Sequence, residues 1–176
     1  MKLTDADSRM LSALDQQGDA MIARAIGWCV INSGSRNLEG LAAMAEPLAT
    51  ALGERPGQVE RIPLPDTSEV AVDGTIRTVA NAPALRLRVR AEAPVQIALT
   101  GHYDTVYPAE TRFREVVTRA DGALHGPGIA DMKGGISVML AALAAFERHP
   151  AAPGLAHRQP PVVARLLAGP RHSPHL

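Results

Sequence analysis

Two short stretches of this 176-residue chain hold side chains whose types and spacing could do chemistry. The first is Leu99-Thr100-Gly101-His102-Tyr103-Asp104-Thr105-Val106. Side chains two apart on an extended chain point the same way, so His102 and Asp104 share a face. A metal-bound imidazole needs a carboxylate behind it, to hold the ring and raise its basicity. His-x-Asp supplies that pair, although the same spacing also arises on ordinary surfaces. The second stretch is Gly126-Pro127-Gly128-Ile129-Ala130-Asp131-Met132-Lys133-Gly134-Gly135. Three chemistries compete for it. A phosphate cradle needs Gly-Lys-Ser/Thr at a helix start, whereas Lys133 is followed by Gly134-Gly135-Ile136. A dinucleotide loop needs Gly-x-Gly-x-x-Gly directly after a strand, and Asp131 stands where the last glycine belongs. The third is a cation-binding carboxylate, Asp131, presented by a loop whose glycines supply unusual backbone angles.

The elements around these stretches decide what they can face. Residues 95–100 are apolar enough for an interior strand. Open α/β sheets bind ligands beyond the carboxyl ends of their strands, which is where His102 and Asp104 fall. Residues 115–118 and 123–125 flank Asp121-Gly122 and predict a small hairpin. An Ala/Leu/Met-rich helix is expected over 136–146, burying Ile136, Met139, Leu140 and Leu143 against the sheet. Upstream, helical spacing of apolar residues predicts a helix over 10–26, broken at Gly18. A second is expected over 37–52, with Pro47 inside it and Gly53 as its cap. Residues 59–62 read as a short strand. Residues 85–90 alternate apolar with Arg and read as an edge strand with one solvated face. Helices alternating with buried strands predict an α/β three-layer sandwich with a mostly parallel sheet, residues 95–100 at its centre. Trp28 and Cys29 read as core. Tyr103 and Tyr107 flank the site and read as packing residues, and His125 as a turn-flanking surface residue.

Bulk composition narrows the function classes. Lys and Arg number 18, as do Asp and Glu, so nothing favours nucleic acid or an anionic membrane as partner. Cys29 is the single cysteine, which excludes an intrachain disulfide and a cysteine-only metal cage and fits a reducing compartment. The first ten residues include Asp5, Asp7 and Arg9 and do not read as a signal peptide. No run of 18 apolar residues is present, and the cytoplasm is the expected location. The charge is unevenly spread: no acid follows Glu147, and residues 150–161 are Pro-rich, like a linker or tail.

Taken together, His-x-Asp-Thr after an apolar strand and Gly-Pro-Gly-x-x-Asp-x-Lys-Gly-Gly after a hairpin resemble a family of two-zinc metallopeptidases. Its members include acetylornithine deacetylase, succinyl-diaminopimelate desuccinylase and glutamate carboxypeptidase. Asn32-Ser33-Gly34-Ser35 and Glu39-Gly40 are similar to the glutamate carboxypeptidase branch. The resemblance spans about residues 15–154. It implies the N-terminal part of a zinc-peptidase-like catalytic domain over 1–154, followed by an atypical tail over 155–176. It further implies that His102 binds one zinc, that Asp104 orients that ligand as the catalytic second residue, and that Asp131 bridges two zinc ions, which Co2+ or Mn2+ could replace. Two such metals can polarise a carbonyl and activate water. A cis peptide between Asp131 and Met132 is implied as well.

The departures are as informative as the matches. The family continues with a strand ending in Glu-Glu, which supplies a general base and a zinc ligand, then a further acid and a distant His. It also has an inserted lid through which it dimerises. None of these has a counterpart here. A disrupted or truncated reading frame is the leading expectation for residues 155–176, with 162–167 as a short strand at most. His149, His157, His172 and His175 read as solvated rather than as substitute ligands. The functions expected are a zinc-dependent hydrolase of amide or peptide bonds beside a free carboxylate, acting on a small-molecule substrate, or a non-catalytic fragment of one. A nucleotide-binding module ranks third.

Overall fold

The computed structural model describes residues 3–154 and 156–158. The upstream apolar positions build three helices, α1 (Asp5–Asp15), α2 (Gly18–Cys29) and α3 (Leu38–Gly53). Thr4 and Asp7 close the start of α1 as a reciprocal cap. The Asp7 N–H donates to Thr4 Oγ1 at 3.2 Å, and the Thr4 N–H to Asp7 Oδ2 at 2.8 Å. Gly18 starts α2, so the expected break is real. α3 runs through Pro47 and buries Leu41, Met44, Ala45, Leu48, Ala51 and Leu52. That i, i+3, i+4 spacing is the apolar stripe of a core-facing helix.

The turn into α3 is closely packed. The Asn37 side chain accepts from the Gly40 N–H at 3.1 Å and donates to the Asn32 carbonyl at 3.1 Å. A Cβ at Gly40 would overlap that same carbonyl oxygen. Gly40→Ala should therefore destabilise the chain by about 3 kcal/mol or more, as backbone overlap in a packed turn does. Gly53→Ala meets nothing within 4 Å and should be neutral or slightly stabilising. Urea midpoints of the two variants check both statements; equal midpoints would show that the 32–40 turn relaxes freely.

Among the described residues the short strands that follow are β1 (Gln58–Ile62), β2 (Thr67–Val70), β3 (Ile76–Val79), β4 (Ala84–Arg88), β5 (Gln96–Ala98), β6 (Val117–Thr118), β7 (Leu124–His125) and β8 (Ala156–Arg158). Four of them form a mixed sheet in the order β1-β4-β8-β5. β1 and β4 are antiparallel, β4 and β8 antiparallel, and β8 and β5 parallel. This corrects the expected mostly parallel sandwich. β2–β3 and β6–β7 are separate hairpins. The second is the one predicted around Asp121-Gly122.

Two strands exchange their expected places. β4, read as an edge, lies inside the sheet and buries Ala84, Leu85 and Leu87. Arg86 and Arg88 stay half-buried, and Arg86 donates to Glu60 on β1 at 2.5 Å. β5, read as the central strand, is the sheet edge among the described residues, with Val95 49% and Ile97 42% exposed. The reading of 150–161 as linker or tail is corrected at Ala156–Arg158, which pair with β5 in the sheet. Residues 162–167, His172 and His175 lie outside the described residues.

α4 (Gly134–Glu147) follows an irregular turn at Ile129–Lys133. The two together are 19 residues of mean hydropathy 1.5, long and apolar enough by composition to cross a membrane. The backbone leaves helical angles at Asp131 and Met132, however, so the continuous helix is the 14 residues of α4. That is short of the roughly 20 residues a span needs. Ile136, Leu140 and Leu143 are buried as expected, and Met139 partly. Ile136 and Leu140 join a core with Trp28, Leu41, Leu48, Leu85, Leu87 and Tyr103. Cys29 is buried as well, and burial pushes its thiol pKa up.

Candidate metal centre

Beyond β5 the chain runs through the His-x-Asp stretch without a regular element up to the bridge between Gly34 and Thr105, and this stretch sets the site. His102 Nδ1 stands 3.1 Å from both Asp104 Oδ1 and the Asp104 carbonyl. Its other nitrogen, Nε2, stands 2.9 Å from Asp131 Oδ1, across 29 residues of sequence. The three residues singled out in the sequence therefore converge. Their surroundings differ. Asp104 is 2% exposed in its side chain, His102 19% and Asp131 75%. Asp104 works from behind the ring, while Asp131 faces the opening of a cavity of about 300 Å³.

Electrostatics follow from that placement. The hydrogen bond to Asp104 pushes the His102 pKa up to about 9; burial opposes it, and Asp131 adds to it. Without a metal the ring is an imidazolium at neutral pH, and both nitrogens donate. Tyr103 is fully buried and donates its hydroxyl to the Pro83 carbonyl at 2.8 Å. Burial pushes its pKa up to about 12. Its expected packing role is the observed one. Tyr107 packs too, edge-on to Phe113 at 5.0 Å between ring centroids, and lines the cavity. His125 is exposed, as read, but tilts against Phe113 at 4.8 Å and shares that wall.

The glycine-rich loop carries Asp131 as the third reading required. Gly128 has φ +77°, a left-handed angle that favours glycine, and a Cβ there would press on Thr105 and Lys133. Its carbonyl accepts the Lys133 N–H at 2.9 Å. The Asp131–Met132 peptide is cis. Lys133 is fully buried, and its Nζ donates to the Trp28 and Ile31 carbonyls at 2.9 and 2.8 Å. Burial pushes its pKa down to about 8. An ammonium committed to the end of α2 is not one reaching for a phosphate, which removes the phosphate-cradle reading.

Two contributors were not singled out in the sequence. Lys133 was weighed only as a phosphate ligand; its signal was a charged residue in an otherwise apolar and glycine-rich run. Ser35 figures there only in the Asn32-Ser33-Gly34-Ser35 run, with no role of its own. Its Oγ lies 2.6 Å from Asp104 Oδ2. An imidazole nitrogen and a carboxylate oxygen, facing each other at a cavity mouth with a second carboxylate behind the ring, are donors that zinc accepts. Among the described residues, no group of three or more His, Cys, Asp or Glu is placed to hold a metal. The donors fit the ion but form only part of a coordination sphere.

Residues 98–156 match Peptidase family M20/M25/M40. The chain is 46% identical over 68 residues to succinyl-diaminopimelate desuccinylase 2 of Shewanella loihica, covering 36% of this chain and 17% of that protein. Its fold is similar to human carnosine dipeptidase 1, with TM-score 0.70 and 17% identity over 93% of this chain and 36% of that one. It is also similar to a Zn-dependent exopeptidase from Parabacteroides distasonis, with TM-score 0.53 and 19% identity over 80% of this chain and 44% of that one. The chain thus spans less than half of these solved chains, and its matched stretch about a sixth of the curated relative.

Proposed function

We propose that this chain, whose residues 98–156 match peptidase family M20/M25/M40, forms the first part of a zinc hydrolase site cutting an amide or peptide bond beside a free carboxylate. The observation that carries this reading is the His102 Nε2 to Asp131 Oδ1 approach of 2.9 Å, with Asp104 behind the ring. His102 Nε2 and the Asp131 carboxylate are the metal ligands. Asp104 keeps Nδ1 protonated, so the lone pair available to a cation sits on Nε2. Zinc, when bound, supplies Lewis-acid polarisation of a substrate carbonyl and acidifies water. Asp131 would hold the metal through its carboxylate, together with His102 Nε2. A small amide or peptide substrate enters by the cavity lined by Tyr107, Phe113 and His125.

A second reading has its own support. The described residues bring only two donors to the cavity mouth, which favours a folded but non-catalytic polypeptide when this chain stands alone. Zinc titration by calorimetry separates the two. Two tight sites would mark a complete hydrolase site. We expect a single weak site in the wild type and none in His102→Ala. Uptake that is unchanged in His102→Ala would place the metal elsewhere and end the proposal.

A further inference from the structure

The residue behind the metal ligand has a residue behind it. The segment Asn32-Ser33-Gly34-Ser35 runs beside the His-x-Asp stretch as a short parallel bridge, Gly34 against Thr105. The Thr105 N–H donates to the Ser33 carbonyl at 2.8 Å, and the Ser35 N–H to the Thr105 carbonyl at 2.9 Å. Ser33 Oγ, fully buried, donates to the Tyr103 carbonyl at 2.7 Å. The Asn32 side chain ties the same segment to the Pro108 carbonyl at 3.1 Å. Ser35 is thus delivered to the site by a backbone fixed on both flanks of Asp104.

Its hydroxyl has one proton and two acceptors in reach, Asp104 Oδ2 at 2.6 Å and the Thr105 carbonyl at 3.1 Å. The carboxylate is the nearer and, being charged, the stronger acceptor. This matters because the last torsion of an aspartate is broad and turns at little cost. Holding Oδ2 on Ser35 leaves Oδ1 turned to His102 Nδ1, where it stands at 3.1 Å. Without that anchor Oδ1 is no longer aimed by Ser35, and the Asp104 carbonyl, also at 3.1 Å, competes with it for Nδ1.

We infer that Ser35 is a positioning residue: by holding one oxygen of Asp104 it aims the other at His102 and so fixes which nitrogen faces the cation. The consequence for zinc rests on the metal-site reading above; the carboxylate orientation does not. Substitution of a ligand's direct partner costs about 10–100-fold in metal affinity. Ser35 is one bond further away, so Ser35→Ala should weaken zinc binding about tenfold, and Ser35→Thr, which keeps the hydroxyl, should restore it.

The deciding measurement needs no metal. In 15N-labelled full-length chain at pH 7, the His102 Nδ1–H proton should resonate at low field and exchange slowly with water. In Ser35→Ala it should move upfield and exchange at least several-fold faster, while Ser35→Thr stays near wild type. On an Asp104→Asn background, Ser35→Ala should add nothing. If the alanine variant fails to fold by far-UV circular dichroism, the near-isosteric Ser35→Cys, a much weaker donor, takes its place with the same expected direction. An unmoved Nδ1–H signal in a folded Ser35→Ala or Ser35→Cys chain overturns the inference. So does a further shift on the Asp104→Asn background. A wild type that takes up no zinc yet shows the Ser35-dependent signal retains the inference and rejects the metal-site reading.

Discussion

The 176-residue polypeptide should hydrolyse neither N-acyl amino acids nor peptides ending in glutamate at a useful rate, with or without added zinc. A catalytic zinc takes three protein ligands and keeps one position open. His102 Nε2 and Asp131 supply two donors, and a bridging Asp131 would have to serve both metals. Asp104 cannot make up the number, because its side chain is 2% exposed and its Oδ1 already faces His102 Nδ1. The chemistry also needs a base to take a proton from water. No acid follows Glu147 in the sequence, and Glu147 itself is held by Arg90 at 2.7 and 2.9 Å. A positioned base contributes about 10²–10⁴ in rate, and a missing second metal removes its share of transition-state stabilisation as well. Chelator-sensitive, zinc-dependent turnover that disappears in His102→Ala would show that this chain completes the site by residues outside those described.

The site was legible where one local rule sufficed. His102 and Asp104 meet, as the period of two in an extended chain predicts. Asp131 was legible because four glycines within ten residues narrowed the readings, and a carboxylate was the one ligating group among them. α4 was legible as an unbroken apolar run. Sheet order was not. Whether an apolar strand is central or at an edge depends on which strands come alongside, and neither β4 nor β5 carries that information. β4 looks solvated because its arginines alternate, yet Glu60 on the neighbouring strand pairs with one of them. The β2–β3 hairpin escaped for another reason. Val70, Val72 and Ile76 are exposed, so no burial pattern marks it, and only Asp73-Gly74 signals the turn. Lys133 and Ser35 act across 105 and 69 residues, and only the tertiary fold joins them to their partners.

Stability of the metal-free chain should depend on pH through two buried groups with opposite signs. His102 has a folded pKa near 9 against 6.5 for the free side chain, with Asp104 as the main cause. The folded state therefore holds more protons than the unfolded between those values. Its contribution is complete below pH 6.5 and is lost as pH rises through 9, at most about 3 kcal/mol. Lys133 runs the other way. Burial lowers its pKa from 10.5 to about 8, so the unfolded chain holds more protons between those values. Stability then rises with pH over that window, again by at most about 3 kcal/mol. The wild type should weaken from pH 6.5 to 8, and above pH 8 the decline should slow or stop as the lysine offsets the histidine. Cys29 and Tyr103 also titrate at high pH, so each term is read as a difference between two chains. Wild type minus His102→Ala, from urea unfolding followed by circular dichroism, should decline between pH 6.5 and 9. Wild type minus Lys133→Met should climb between pH 8 and 10.5, because methionine keeps the buried volume and removes the proton. A flat histidine difference would mean that the pair with Asp104 does not hold the ring in solution. A flat lysine difference would mean that the carbonyls of Trp28 and Ile31 compensate the ammonium fully for its burial.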